Sequence, residues 1–150
     1  MVSIAIYKSK RILELTDGSS CRSFKIALGN SPVGQKCAEG DGRTPEGEYF
    51  VCTRNEQSKF HLALGLSYPS VPDAERAFAE TRIDRAQFNV IMEAHLGGKR
   101  PPWDTPLGGF IMIHGGGNER ITAGCIGMND ADIELLFEAC PIGTVVHIYR

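Results

Sequence analysis

The sequence has no C-x-x-C pair, no G-x-S-x-G turn and no apolar run long enough to cross a bilayer, and each absence removes a class of chemistry. Without C-x-x-C spacing, a zinc ribbon or a dithiol redox site has little support. The five cysteines (Cys21, Cys37, Cys52, Cys125 and Cys140) are odd in number, so at least one thiol stays outside any intrachain disulfide. Without G-x-S-x-G, the run His114-Gly115-Gly116-Gly117 does not read as the oxyanion loop of an α/β-hydrolase. No membrane span is expected. Charge is nearly balanced, with a formal value of -2, which leaves no basic excess for nucleic acid and no polyelectrolyte character. The basic clusters Lys8 to Arg11 and Lys99-Arg100 read as solvated turns. The opening Met1 to Tyr7 lacks the charged start, long apolar run and small-residue cleavage site of a secretory leader.

At 150 residues the chain fits one domain, residues 1–150, and a chain of this length buries roughly 70% of its unfolded surface on folding. Strand patterns open the sequence at Ile4-Ala5-Ile6, Ile12 to Leu15, and Phe24, Ile26 and Leu28, with turns at Lys8-Ser9-Lys10 and Asp17-Gly18. The glycine- and proline-rich stretch from Gly29 to Gly47 predicts a long irregular loop. Tyr49 to Thr53 is strand-like, and Phe60, Leu62, Leu64 and Leu66 alternate as one buried face with His61 outward. Ser70 and Pro72 open a helix through Ala79, and Ile83, Ala86, Val90 and Ala94 define a helical face that Gly97-Gly98 stops. Phe110 to His114 predicts a short central strand delivering His114 at its end. Asn129 or Asp130 then caps a helix through Ala139, with Ile133, Leu136 and Phe137 inward, before a last strand from Val145 to Tyr149. The fold class is a β-rich α+β domain.

Chemistry concentrates in Ile113 to Met128, where a histidine, a glycine run and a cysteine share one irregular segment. A cysteine attacks acyl carbon as its thiolate, and an ordinary pKa of about 8.5 leaves little thiolate at neutral pH, so an imidazole that accepts the proton helps greatly. Glycine-rich chain between His114 and Cys125 can fold the two side chains together, whereas a helix would hold them about 16 Å apart. Backbone N–H groups near Gly124 and Cys125 are the expected oxyanion donors. The competing readings are a small buried cysteine beside an ordinary glycine turn, a metal pair lacking a third ligand of clear spacing, and a thiol redox role. His95 at a helix end is explained by the helix dipole, and His147 lies within the last strand.

Taken together, Asp41-Gly42-Arg43-Thr44-Pro45-Glu46-Gly47-Glu48-Tyr49, then Ile113-His114-Gly115, then Gly124-Cys125-Ile126 with Met128, resemble the YkuD-type L,D-transpeptidases of the bacterial cell wall. T-P-x-G-x-Y alone is a weak turn signal; followed by H-G and then S/T-x-G-C-I-x-M it is specific. The resemblance covers nearly the whole chain in element order, and implies a mixed sheet or β-sandwich with a few helices. It implies Cys125 as nucleophile, His114 as base, the Gly115 carbonyl as the group that orients the imidazole, and Thr122 at the small hydroxyl position beside Gly124. The implied partners are peptidoglycan stem peptides, attacked at the L,D bond of meso-diaminopimelate with loss of D-alanine and transfer to an amine. Carbapenem-type inhibitors are expected to trap the cysteine, and no metal or organic cofactor is implied. The implied location is periplasmic or cell-wall associated, with a cytoplasmic site or signal-independent export as alternatives given the opening residues.

The sequence departs from the commoner family pattern at Ala123, where histidine is usual, at Gly127, where arginine or asparagine is usual, and in a shorter His-to-Cys spacing. The lost cation at Gly127 removes a contact for a substrate carboxylate. These features look more like a branch that includes hydrolases cutting protein-to-peptidoglycan links. A hydrolase of the same site, whether L,D-carboxypeptidase or amidase, and an inert peptidoglycan-binding module are the alternatives.

Overall fold

The computed structural model describes residues 1–119 and 122–150. Strands β1 (Val2–Tyr7), β2 (Ile12–Asp17) and β3 (Ser20–Lys25) form an antiparallel meander, joined at the two predicted turns. β4 (Gly47–Ser58) and β5 (His61–Leu66) form a long hairpin, followed by helices α1 (Val71–Ala79) and α2 (Arg85–Leu96). The chain ends with β6 (Met112–His114), β7 (Ile126–Gly127), α3 (Asp130–Ala139) and β8 (Val145–Tyr149). The sheet order is β3-β2-β1-β8-β4-β5-β6-β7, with β1–β8 and β6–β7 parallel and the other neighbours antiparallel.

This sheet curls until its ends meet. Just after β3, Ala27 exchanges two backbone hydrogen bonds with Gly127 of β7, both 2.9 Å, and Thr122 N–H donates to the Leu28 carbonyl at 3.1 Å. The inward residues, among them Ile4, Ile6, Leu13, Val51, Leu64, Ile113, Val146 and Ile148, form one continuous core. Each is nearly excluded from water, so their burial supplies the main driving force for closure. α3 completes the core by packing Ile133, Leu136 and Phe137 inward, with β5 as its main neighbour. A β-rich α+β domain is therefore what the chain forms.

The helix starts are chemically defined. Ser70 and Asp84 each make a capping box, with Asp73 and Gln87 returning the bond from the third helical position. Asp73 is buried and also accepts from the Tyr49 hydroxyl at 2.8 Å, tying β4 to α1.

Several local expectations need correction. β4 runs well past Thr53, to Ser58, because its outer half pairs with β5 through bulges. β5 does not alternate: Ala63 to Leu66 are all buried, since the strand is central in the sheet and covered on both faces. In α2 the inward residue is Ile91, while Ala86 and Val90 are exposed; Phe88, Ile91 and His95 give the half-buried face instead. Phe110 is not in a strand but has a left-handed φ of 56° and an exposed ring. His95 has a specific partner besides the helix dipole, donating from Nε2 to the Pro69 carbonyl at 2.7 Å.

Lys8 is the clearest reversal. It is not a solvated turn residue but is 4% exposed. Its ammonium donates to the Gly34 carbonyl at 2.9 Å and the Thr44 carbonyl at 2.7 Å and pairs with Glu46 at 3.0 Å. Burial pushes the Lys8 pKa down, partly offset by the Glu46 carboxylate. The sequence pattern hid this because Lys8 continues the inward series Ile4, Ile6 of β1 one step beyond the strand. Lys8 thereby pins both ends of the glycine-rich loop. Replacing it by methionine keeps the stem but strips two carbonyls and a half-buried carboxylate of their donor. Lys8→Met is expected to cost about 3 kcal/mol of folding free energy. The check is a lower urea midpoint with an unchanged denaturant slope; a change within about 0.5 kcal/mol would place Lys8 in solvent after all.

Candidate active site

His114 ends β6, held between β5 and β7, so its backbone is fixed on both sides. The Gly115 N–H donates to the Leu62 carbonyl at 3.1 Å, and the His114 carbonyl accepts from Met128 N–H at 2.8 Å. The imidazole is 6% exposed, and its Nδ1 lies 2.6 Å from the Gly115 carbonyl. A carbonyl only accepts, so Nδ1 carries the proton and Nε2 is the acceptor nitrogen of the neutral ring. Phe60 stacks on the same ring, with centroids 4.5 Å apart and planes 22° from parallel.

The glycines after His114 are required by their surroundings. A Cβ on Gly115 would fall 2.7 Å from both the Asp130 carboxylate and the Phe60 carbonyl. Asp130, at the first position of α3, accepts from the Gly116 N–H at 2.8 Å and locks this turn to the helix start.

Cys125 lies at the closing seam of the sheet, immediately before β7. Cys125 is half-buried; Sγ donates to the Phe110 carbonyl at 3.2 Å and accepts from Met112 N–H at 3.4 Å. Burial pushes the thiol pKa up, and the Met112 N–H and the positive charge of Lys36 only partly oppose this. The S–H points to the Phe110 carbonyl. Cys21, Cys37, Cys52 and Cys140 are free thiols as well.

The segment before Cys125 is shaped by three contacts. Thr122 Oγ1 donates to the Cys125 carbonyl at 2.6 Å and accepts from Gly124 N–H at 3.2 Å. Thr44, fully buried, donates from Oγ1 to the Gly124 carbonyl at 2.8 Å. Gly124 has φ 116°, and a Cβ there would meet the Arg43 carbonyl at 2.7 Å. The T-P-x-G-x-Y stretch thus acts at a distance: Thr44 holds the loop before Cys125 while Tyr49 reaches Asp73 of α1. The Gly124 amide expected as an oxyanion donor is, in this structure, hydrogen-bonded to the Thr122 hydroxyl.

Cys125 and His114 line a common cleft of about 580 Å³, with Phe60, Phe110 and Met112 as apolar walls. Its outer rim comes from β4 and the hairpin turn, through Asn55, Gln57 and Lys59. Of the residues singled out from sequence, Cys125 and His114 line this cleft and Gly115, Gly124 and Thr122 adjoin them; Phe60, Phe110 and the rim were not singled out as site residues, nor was the contact of Thr44 with Gly124, because these contacts are long-range and carry no local signature. Gly127 also has a steric reason: a Cβ would lie 2.9 Å from the Gly117 carbonyl. Arg120 and Ile121, within the same loop, lie outside the described residues. Among the described residues no group of three or more His, Cys, Asp or Glu could hold a metal ion, and no helix is long and apolar enough to cross a membrane.

Two measurements test this geometry. Alkylation of Cys125 by iodoacetamide, followed at its own peptide by mass spectrometry, is expected to show a midpoint above the ordinary thiol value of about 8.5. Gly124→Ala is expected to lower stability by about 2 kcal/mol or more, since it combines left-handed strain with a backbone clash. Thermal unfolding followed by circular dichroism reads the loss.

The chain is 24% identical over 145 residues to YafK of Escherichia coli (strain K12), an alignment covering 91% of this chain and 46% of YafK. The helical cell shape determining protein Pgp2 of Campylobacter jejuni shares the fold with a TM-score of 0.64 at 22% identity, over 100% of this chain and 48% of Pgp2. The L,D-transpeptidase LdtMt1, solved in complex with imipenem, superposes with a TM-score of 0.55 at 11% identity, over 99% of this chain and 58% of that one. The chain thus spans about half the length of the curated relatives it matches. With the family model of the YkuD L,D-transpeptidase catalytic domain matching residues 2–148, the chain belongs to the YkuD family.

Proposed function

We propose that this domain is a cysteine acyltransferase acting on peptidoglycan stem peptides. The observation that carries the reading is the shared cleft of Cys125 and His114, with the imidazole's acceptor nitrogen defined by the Nδ1 bond to Gly115. In the proposed step the Cys125 thiol leaves the Phe110 carbonyl and gives its proton to His114 Nε2. The sulfur forms a bond to the carbonyl carbon of the L,D-linked diaminopimelate residue. His114 then returns the proton to the departing nitrogen as the C–N bond breaks and D-alanine leaves. An acceptor amine attacks the thioester, passes its proton to His114, and the thiol is regenerated.

Loop preorganisation supports this chemistry. Thr122 and Thr44 fix the carbonyls of Cys125 and Gly124, so Gly124 contributes conformation rather than a donor. The amide proposed to face the developing oxyanion is that of Cys125 itself. A site for such a substrate implies work outside the cytoplasmic membrane, in the periplasm or cell wall.

A hydrolase reading uses the same steps with water as acceptor. The engagement of the thiol by Phe110 and its raised pKa favour a further reading, a wall-binding module that does not turn over.

Incubation with imipenem followed by intact mass spectrometry is expected to give one covalent adduct, lost in Cys125→Ala and slowed at least about 100-fold in His114→Ala. An adduct on another cysteine, or none, would count against acyl transfer. Muropeptide analysis after incubation with sacculi separates the readings: new crosslinks indicate transferase, shortened stems or freed protein indicate hydrolase. Sedimentation with sacculi without any product indicates the module.

A further inference from the structure

The rim of the cleft contains one group that the chemistry above does not use. Lys59 sits in the turn of the β4–β5 hairpin, and its ammonium lies 5.1 Å from the centre of the Phe60 ring. Phe60 in turn stacks on His114 at 4.5 Å. These two separations keep the Lys59 ammonium within about 10 Å of the imidazole centre, two to three residue lengths of extended peptide. Apart from His114 and Cys125, Lys59 is the sole ionisable side chain among the described residues lining the cleft, and no carboxylate lines it. Among the described residues, Lys59 has no acidic side chain within ion-pair distance, unlike Lys8, Lys25 and Lys36. The cleft therefore carries one positive charge at its rim beside apolar walls, an arrangement that favours an anionic ligand group.

Gly127 cannot supply a second cation, because the Gly117 carbonyl blocks any side chain there. When a terminal residue is the leaving group, its α-carboxylate lies within about 4 Å of the scissile carbonyl carbon. From this we infer that Lys59 is a specificity-determining residue that binds the free carboxylate of the residue released, so the site selects acyl donors ending in a free acid over capped or internal peptides. The inference rests on the acyl-transfer reading for which end of the peptide enters the cleft. Lys59 touches the substrate without taking part in proton transfer, and its long stem lets the ammonium follow the carboxylate as the bond breaks.

The test separates binding from chemistry. In a Cys125→Ala background, titration calorimetry compares a tetrapeptide stem ending in D-alanine as the free acid with the same peptide as its C-terminal amide. The free acid is expected to bind about tenfold more tightly, and Lys59→Met should erase that preference by weakening the acid alone, while Lys59→Arg retains it. The preference should also shrink between low and high salt, as an exposed charge contact is screened. Equal weakening of both peptides by Lys59→Met would show a merely structural role and overturn the inference. So would an acid affinity that the substitution leaves unchanged, or no binding of either peptide. Because this measurement needs no nucleophile, failure of the imipenem adduct in the native chain would refute acyl transfer separately from the Lys59 result.

Discussion

The pair of backbone hydrogen bonds between Ala27 and Gly127 is the constraint on which the site depends. Each such bond contributes only about 1 kcal/mol net, yet their effect is positional. They join the segment after β3 to β7, so the two ends of an eight-stranded sheet become one seam. Cys125 lies two residues from that seam and His114 ends the neighbouring strand, β6, which pairs with β7 in parallel. Any loosening of the closure would move the Cys125 sulfur relative to the imidazole. The glycine at 127 follows from the same requirement, since the close approach of Gly117 leaves no space for a side chain. The Lys8–Glu46 pair and Thr44 reinforce the seam from behind by fixing the long loop against Gly124.

Within that frame the Cys125 thiol is engaged by its neighbours. A thiol that donates to a carbonyl is a poor nucleophile, and desolvation together with the Phe110 contact works against the thiolate here. The acceptor carbonyl belongs to a residue with a left-handed backbone, a conformation that costs a non-glycine residue about 1 kcal/mol or more. Strain of this kind at a reactive centre is consistent with a contact that gives way when substrate fills the cleft. The imidazole needs no such rearrangement, because its tautomer and orientation are already set by Gly115, with Phe60 against its face.

Much of this was legible in the sequence where physics is local. The strands of the first meander, the capped start of α1 and the delivery of His114 at a strand end follow from periodicity, cap residues and glycine placement; α3 begins where expected, after Asn129, but that side chain makes no capping bond. The juxtaposition of His114 with Cys125 was legible because only flexible chain separates them. What could not be read was set by distant partners. Lys8 looks like a surface residue until Glu46 and the Thr44 carbonyl are brought to it. Ala86 and Val90 match helical spacing as well as Phe88 and Ile91 do, and only the neighbouring helix and sheet decide which face turns inward. The Gly124 amide was an obvious oxyanion donor in sequence, but a hydroxyl two residues away claims it. Phe60 and Thr44 influence the site across the fold, where no spacing rule reaches.

The long reach of β4 has a consequence for how such a site can change. Its outer half pairs with β5 beside the cleft, and its exposed residues, Asn55, Gln57 and, in the turn, Lys59, lie outside the core. Nature can therefore recharge the exposed positions of this ribbon, Asn55, Gln57 and Lys59, while Phe60 and the strands that hold the imidazole stay intact. A diversity of acceptable ligands across related domains would then be inherited from one exposed ribbon rather than from the machinery beneath it.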